Sequence, residues 1–366
     1  MIHRLIAGIC IGNVLLGCAV HASSDRTGGR VYKPAATKEN ALEIDHGLQK
    51  VDLTKGEKYS ADVMKAQRDG AIGSITLKVV DQDGNAVSNA NVRGGFYNHG
   101  KSGYGFDKTI GPDGLVELKN RCVGDLHFSI EKAGYYKTSF TYWFFKAWHD
   151  CAKDGRWLPW NPIIEVVLKQ KVNPVAMCVR PNREGLNPLV PPSRNEYIGF
   201  DLEKGDWVKP HGKGILADLN LKYEYEVGKI PSIHYRGAVF FVFTNKYDGV
   251  YVMKKDSFSS FKSVYQAETN AVYRQKIEFV YDRLSGEVKE NSKFPVSDYL
   301  VLRTRSKTDE YGNLVSANYA KIYGPVAAGG GGVYMGFYFN PNENDPNLEA
   351  DMTKNLLNPR DLDFAP

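Results

Sequence analysis

The feature that most constrains the fold is a series of short β-rich segments separated by turns that contain glycine and proline. Segments such as 75–80, 115–120 and 126–132 alternate apolar and polar residues, which is typical of strands with one buried face. Residues 271–282 and 333–340 continue this pattern, and no regularly alternating helices interrupt it. The 22 Tyr, 17 Phe, 36 Gly and 17 Pro also favour strands joined by turns. The sequence therefore predicts an all-β protein made of antiparallel β-sandwiches.

Two Asp-Gly pairs mark turns in the first series of strands. Asp83-Gly84 lies in VVDQDGNAV, where an EF-hand calcium loop would need its glycine at the sixth position. Gly84 is only fourth when counted from Asp81, and apolar strand residues follow at once. We therefore interpret this segment as a hairpin turn. The run 111–114, GPDG, precedes LVEL in the same way.

The residues around these turns resemble the carboxypeptidase regulatory-like domain. The matching positions are Asp83, Gly84, Val87, Ala90, Val92, Asp113, Gly114, Val116, Leu126, Phe128, Ile130, Lys132, Gly134 and Tyr135. The resemblance covers about residues 73–170 and implies a small prealbumin-like β-sandwich with a structural or adhesive role rather than a catalytic one. Relative to that pattern, the glycine-rich residues 94–105 and the aromatic run 136–160 are interpreted as insertions.

A chain of 366 residues is too long for one ordinary core, so we expect two domains. The predicted organisation is a signal peptide at 1–17 (or 1–22), a flexible tether at 18–72, a first sandwich at 73–170, a linker at 171–195 and a second β-rich domain of unrecognised family at 196–366. Within the tether, Ser60 as N-cap and Gly70 as stop predict one short helix.

The N-terminus has the composition of a secretory signal. A basic start, MIHR, precedes an apolar run over residues 5–16 that is too short to span a bilayer. Leu15-Leu16-Gly17-Cys18 resembles a bacterial lipobox, which implies cleavage before Cys18 and lipidation of its thiol. Val20-His21-Ala22 offers an ordinary cleavage site as the alternative. We favour the lipoprotein, located in the outer membrane, over a periplasmic or extracellular form.

Charge and cysteine content limit the partners and the covalent structure. The 47 basic and 42 acidic residues are interspersed, so a nucleic-acid partner is not expected. Cys122, Cys151 and Cys178 remain in the exported chain, where one disulfide and one buried thiol are the expectation. The sequence leaves open which two of them pair.

Known catalytic and cofactor motifs are either absent or out of context. Residues 95–102 match the phosphate-loop pattern GxxxxGKS, but Gly103, Gly105 and Pro112 exclude the helix that such a loop needs. The sequence has no HExxH and no GxSxG. The oxygen-rich stretch 342–351 is interpreted as a solvated loop rather than a calcium site. No catalytic residue, metal or cofactor is therefore predicted.

The candidate binding residues come from an aromatic cluster. Trp143, Trp148, Trp157 and Trp160 lie within 18 residues of one another. If these aromatics are exposed, they would stack on sugar rings or anchor a protein, and if they are buried, they pack the core or a domain interface. Trp148 and Trp157 lie in the polar contexts KAWHD and DGRWLP, so with Tyr142 they are the expected ligand contacts. Trp143, within FTYWFF, is expected in the core.

Together these features predict an exported, lipid-anchored bacterial envelope protein with a non-catalytic binding or structural role. Its expected partners are a glycan or an envelope protein, and the membrane through the lipid at Cys18. The alternative is an extracellular hydrolase of glycans or peptides whose site lies in residues 196–366.

Overall fold

The computed structural model describes residues 59–98, 104–145, 151–181, 188–230, 234–256, 258–284, 289–290 and 298–366. These ranges contain 21 β-strands and one α-helix, so the all-β prediction is confirmed. None of their helices has the length and apolar content needed to cross a membrane. Cys18, Trp148 and Lys101 lie outside the described residues.

The short helix expected after Ser60 is present as α1 (Ala61–Asp69). The Ser60 hydroxyl accepts a hydrogen bond from Val63 N at 3.3 Å, which satisfies one of the free N–H groups of the first turn. Gly70 ends the helix at a φ of 78°, a value that favours glycine. Val63 and Ala66 are buried in the core of the strands that follow. This helix therefore belongs to the first sandwich and not to a free tether.

The first sandwich consists of sheets 1 and 2. Its strands are β1 (Ala71–Asp81), β2 (Asn91–Phe96), β3 (Tyr104–Thr109), β4 (Leu115–Cys122), β5 (Asp125–Glu131), β6 (Thr138–Trp143), β7 (Ala152–Lys153), β8 (Arg156–Trp157) and β9 (Ile163–Leu168). Sheet 1 has the order β4-β1-β8-β7, with β9 also paired to β1, and sheet 2 has the order β3-β2-β5-β6. Apolar side chains from both sheets form one core between them.

The predicted Asp-Gly turns are present, but the strands on either side of each turn lie in different sheets. Asp81 Oδ1 accepts hydrogen bonds from the backbone N–H groups of Asp83 and Asn85, both at 2.9 Å, and Gly84 has a φ of 85°. The hairpin turn is present but short: Asp81 N donates to Asn85 O and Val87 N donates to Val79 O, and beyond this turn β1 pairs with β4 and β9 instead of β2. A strand, β3, follows the GxxxxGKS segment where a phosphate loop would need a helix.

The second sandwich consists of sheets 3 and 4. Its strands are β10 (Val175–Arg180), β11 (Ile198–Asp201), β12 (Asp206–Trp207), β13 (Leu219–Val227), β14 (Tyr235–Val242), β15 (Gly249–Lys254), β16 (Lys276–Asp282), β17 (Lys289–Glu290), β18 (Asp298–Thr308), β19 (Leu314–Gly329), β20 (Gly332–Asn340) and β21 (Ala350–Asn355). Sheet 3 has the order β15-β18-β19-β20-β10-β21, and sheet 4 has the order β12-β11-β13-β14-β16-β17. A second apolar core lies between these two sheets.

The linker expected at 171–195 contains a strand of the second sandwich. β10 pairs with β20 on one side and with β21 on the other. The proline and asparagine around it suggested an irregular connection, yet Met177, Cys178 and Val179 are buried in sheet 3. The division of the chain into domains at 73–170 and 196–366 stays a prediction.

The two sandwiches are joined along the free edge of β6. Ser139 N donates to Phe258 O at 3.0 Å and Ser260 N donates to Lys137 O at 2.8 Å, so a segment of the second sandwich continues the edge of sheet 2. The rings of Phe140 and Phe258 lie 4.5 Å apart. This pairing protects an edge that would otherwise be open to another strand.

The three described cysteines are buried thiols that form no disulfide, which contradicts the expected pairing. Cys122 and Cys151 lie in the core of the first sandwich and Cys178 lies in the core of the second. Burial raises the pKa of the Cys122 thiol to about 12. These thiols therefore behave as small core side chains.

Candidate functional site

The candidate site is the outer face of sheet 2, where alternation places polar side chains and one tryptophan. On β5 and β6 the inward residues are buried, whereas every second residue points to solvent. The paired positions across these strands are Asp125 with Trp143, His127 with Thr141, and Ser129 with Ser139. The neighbouring strands add Arg93 on β2 and Asp107 on β3. We call this surface the outer face.

A hydrogen-bonded chain of three side chains lies at the centre of the outer face. His127 Nε2 is 2.8 Å from Asp125 Oδ2, and His127 Nδ1 is 2.8 Å from Thr141 Oγ1. An ionised carboxylate can only accept, so Nε2 donates to Asp125, and Nδ1 of the neutral ring accepts from the Thr141 hydroxyl. Asp125 is buried while the ring of His127 is exposed. The chain therefore fixes the orientation of an exposed imidazole.

Ion pairs and glycine residues flank these three hydrogen-bonded side chains. Arg93 Nε donates to Asp107 Oδ2 at 2.9 Å, and Lys137 Nζ lies 2.6 Å from Glu131 Oε1. Gly95 of β2 pairs with His127 and with a second glycine on β3, so no side chain rises next to the imidazole on the β2 side. An open cavity of about 550 Å³ lies on this face. It is lined by Arg93, His127, Phe128, Ser129, Lys137, Ser139, Phe140, Thr141 and Phe258.

Trp143 lies next to the cavity, beside the lining residue His127, and does not itself line the cavity. Its side chain is 44% exposed, and its ring lies 6.4 Å from the imidazole in an edge-to-face arrangement. The expectation that Trp143 belongs to the core is therefore wrong. An exposed, fixed indole next to hydrogen-bonding side chains provides the apolar contact and the polar contacts that a sugar ring needs.

The residues expected to contact a ligand are located elsewhere. Trp157 is 0% exposed and donates its indole N–H to Cys122 O at 3.0 Å, so its expected exposure is wrong. Tyr142 is 4% exposed and points into the same core. Arg156 points outward from β8, and alternation therefore turns Trp157 inward. Trp148 lies outside the described residues.

The oxygen-rich stretch 342–351 is only partly solvated. Glu343 is exposed and pairs with Lys307, but Asn347 and Glu349 are buried, which corrects the interpretation of the whole stretch as a solvated loop. The Glu349 carboxylate accepts hydrogen bonds from Tyr136 Oη, Val172 N and Asn173 N at 2.8, 2.9 and 2.6 Å. It is therefore an anchor between the two sandwiches.

Sequence motifs do not identify the outer face, because none of its residues belongs to a recognised binding or catalytic motif. Catalytic histidines are recognised in a sequence by their spacing from other residues, and His127 matches no such spacing. A stricter use of the two-residue period would have found the surface, since TSFTYW over 138–143 places Ser, Thr and Trp on one side. The same period places Tyr142 on the buried side.

Comparisons with known proteins do not assign this chain to a family. No family model matches it, and no curated protein matches it. It is similar to a 3-chlorocatechol 1,2-dioxygenase from Rhodococcus opacus, with 12% identity, a TM-score of 0.23, and coverage of 28% of this chain and 61% of that one. It is also similar to BcpA, the major pilin subunit of Bacillus cereus, with 10% identity, a TM-score of 0.21, and coverage of 75% and 85%.

A third similar structure is described as a carbohydrate binding protein from Bacteroides uniformis. The identity is 11%, the TM-score is 0.15, and the similarity covers 73% of this chain and 95% of that one. TM-scores of 0.15 to 0.23 carry no argument about fold or function. The function must therefore be inferred from the residues of this chain.

Proposed function

We propose that this protein is a non-catalytic glycan-binding protein of the bacterial envelope, and that the outer face of sheet 2 is its binding surface. The observation that carries the proposal is the exposed Trp143 ring beside a row of hydrogen-bonding side chains over a cavity of about 550 Å³. We further propose that the first sandwich is a carboxypeptidase regulatory-like module, as the residues at 73–170 suggest.

The geometry favours binding of hydroxyl groups in particular. Thr141 and Ser139 on β6, with Ser129 opposite Ser139 on β5, offer both donors and acceptors, and the carboxylates of Asp107 and Glu131 are already paired with cations. The hydroxyl of Thr141 and these two carboxylates are held in position before a ligand arrives, so they lose little conformational entropy on binding.

Replacing Trp143 by Ala is expected to weaken glycan binding by about 1–3 kcal/mol with little change in melting temperature. The reason is that the indole is exposed and its loss opens no core cavity. Glycan-array screening followed by calorimetry on the best ligand measures the first quantity, and thermal melts measure the second.

The matched control is Trp160→Ala. Trp160 is 37% exposed and lies between Lys119 and Arg156, whose cationic groups are 5.3 and 4.9 Å from its ring centre, away from the outer face. This variant should bind as the wild type does. Equal losses in the two tryptophan variants, or no ligand for the wild type, would contradict the proposal.

Hydrolysis is a second candidate, because Asp125, His127 and Thr141 form an acid–imidazole–hydroxyl chain of the kind that activates nucleophiles. The hydrolytic site proposed here lies in the first sandwich, whereas the alternative drawn from the sequence has it in residues 196–366. Thr141→Val separates the two functions. Turnover of a bound glycan by the wild type that disappears in this variant would favour hydrolysis, whereas binding without turnover favours the main proposal.

Export and lipid anchoring are also part of the proposal, and they rest on the N-terminal sequence. Mature protein is expected to begin at Cys18, to carry acyl chains there and to partition with membranes, since a terminus with more than one chain anchors stably. Mass spectrometry of the mature N-terminus from the native host tests this. A chain that begins at Ser23 without lipid would disprove the anchor and leave export intact.

A further inference from the structure

We infer that the ligand of the outer face is an acidic polysaccharide, and that lysines at the junction of the two sandwiches bind its carboxylates. This inference rests on the proposed glycan-binding function and adds the charge and the extended shape of the ligand. Three features of the described residues carry it: the adjacency of two cavities, the distribution of charge along them, and the length of β6.

A second cavity lies next to the cavity of the outer face, at the junction. The second cavity has a volume of about 440 Å³ and shares Lys137 with the first. It is lined by Glu131, Lys132, Ala133, Tyr135, Tyr136, Lys137, Lys171, Ser260 and Met352. Phe258 and Ser260 come from the segment that pairs with the edge of β6, so the second sandwich forms one wall of both cavities. Because the two cavities share a lining residue and this wall, they are adjacent, and we call them together the groove.

The Trp143 end of this groove has no excess of positive charge. Arg93 is paired with Asp107 at 2.9 Å, and His127 is hydrogen-bonded to Asp125. A ligand at this end meets hydroxyl groups, an imidazole and an indole, without an unpaired cation. This part suits the uncharged portion of a sugar ring.

The junction end carries an excess of positive charge. Lys137 is paired with Glu131 at 2.6 Å, but Lys132 and Lys171 line the same cavity, and the described residues place no carboxylate within ion-pair distance of either. Lys132 Nζ donates to the backbone oxygen of Ser88 at 2.9 Å, and Lys171 Nζ lies 5.6 Å from the centre of the Tyr136 ring. Both ammonium groups are thus held beside the cavity with hydrogen-bonding capacity left for an anion.

The separation of the two ends requires an extended ligand. Lys137, directly before β6, and Trp143, its last residue, are six positions apart, which corresponds to about 20 Å along a strand. Side chains with hydroxyl groups occupy the positions between them. Among the described residues of the groove, one exposed indole is followed by hydroxyl groups, whereas single-stranded nucleic acids need successive aromatic platforms. A chain of sugar rings that carries carboxylates matches this order of groups.

Polygalacturonate and its fully methyl-esterified form provide the test, because they share a backbone and differ in the carboxylate. Affinity electrophoresis of the full chain should show stronger binding to the acid form, and that preference should fall as salt is raised. Lys132→Gln and Lys171→Gln should each weaken binding of the acid form by about two- to fivefold. Lys78→Gln is the matched control, since Lys78 is an exposed lysine paired with Glu165 on sheet 1.

The possible outcomes separate the inference from the proposed function. Equal binding of the acid and esterified polymers would overturn the inference and leave glycan binding standing. Equal binding of polyglutamate, unaffected by Trp143→Ala, would show a general polyanion surface and would also overturn it. Failure of the wild type to bind any polysaccharide on an array would overturn both. Preference for the acid form, lost in both lysine variants and kept in Lys78→Gln, would support it.

Discussion

Lys321→Met is expected to stabilise the protein by about 1–4 kcal/mol at neutral pH, the range found when buried charged groups are replaced by apolar ones of similar size. Lys321 lies in the middle of β19 and is fully buried. Its Nζ donates to Ser263 Oγ at 3.0 Å and lies 4.8 to 4.9 Å from the ring centres of Phe261, Tyr323 and Tyr338.

The charge state of Lys321 decides the sign of this prediction. Burial, with the nearby charge of Lys169, holds the pKa of Lys321 well below its usual value of 10.5, although Glu349 acts in the opposite direction. Contact of a cation with an aromatic ring is worth about 0.5–2 kcal/mol, whereas removing an ammonium group from water costs several kcal/mol. The amine is therefore neutral in the fold at pH values where it is charged in the unfolded chain.

The predicted stabilisation depends on pH. Between the folded pKa of Lys321 and 10.5, the unfolded chain binds one more proton than the folded chain, so the contribution of Lys321 to stability rises with pH. The advantage of Lys321→Met should therefore shrink as pH rises through this window, by up to about 1.4 kcal/mol per pH unit. Chemical denaturation of both proteins from pH 7 to pH 10 measures the difference.

Lys255→Met is the matched control. Burial lowers the pKa of Lys255 to about 8, so the effect of that variant should change with pH only above that value. Comparing each variant with the wild type at the same pH cancels the opposite contribution of groups such as Cys122, whose pKa is raised by burial. A Lys321→Met protein that is less stable at every pH, or whose advantage is constant, would contradict a neutral Lys321.

Local signals in the sequence are sufficient to predict individual helices and strands of this fold. The Ser60 cap and Gly70 stop set the limits of α1, and alternating runs such as 126–132 and 298–305 became strands. The sheet to which a strand belongs is not a local property. Asp83-Gly84 fixes a turn through its own backbone, yet it does not determine whether the chain returns beside β1 or crosses to the other sheet.

Side-chain direction explains the errors at the site. The polar residues next to Trp157 in the sequence predicted an exposed side chain. In the two-residue strand β8, however, the neighbouring side chain and that of Trp157 point to opposite faces of the sheet. The apolar run 140–145 suggested burial of Trp143, although Thr138, Phe140 and Tyr142 already fill the inner positions of β6. Mean polarity of a segment predicts its depth, and only the two-residue period predicts which side chain reaches solvent.

Local sequence patterns cannot predict contacts between residues that lie far apart in the sequence. Tyr136 and Glu349 are separated by 213 positions, and their hydrogen bond links the first sandwich to the residue that precedes β21. Neither residue lies in a motif. The oxygen-rich composition of 342–351 resembles a set of calcium ligands, but this resemblance does not predict the hydrogen bond between Glu349 and Tyr136.

Glu349→Ala is expected to destabilise the protein by about 1–3 kcal/mol, because it leaves the buried Tyr136 hydroxyl without its acceptor and removes the partner of two part-buried backbone N–H groups. Glu349 is 1% exposed, and both carboxylate oxygens are engaged by Tyr136 Oη and by the backbone N–H groups of Val172 and Asn173. Glu349→Gln keeps one acceptor and should cost less. Thermal and chemical denaturation of both variants measure the difference.

Glu343→Ala is the matched control for this loss, since Glu343 lies in the same stretch but is exposed. Its pairs with Lys307 and Ser316 lie in solvent, so its removal should change stability little. A double-mutant cycle with Tyr136→Phe should give a coupling energy of about 0.5–3 kcal/mol, because the two side chains share one buried hydrogen bond. If Glu349→Ala costs no more than Glu343→Ala and the cycle gives no coupling, then this carboxylate does not hold the two sandwiches together, and the junction wall of the groove has another support.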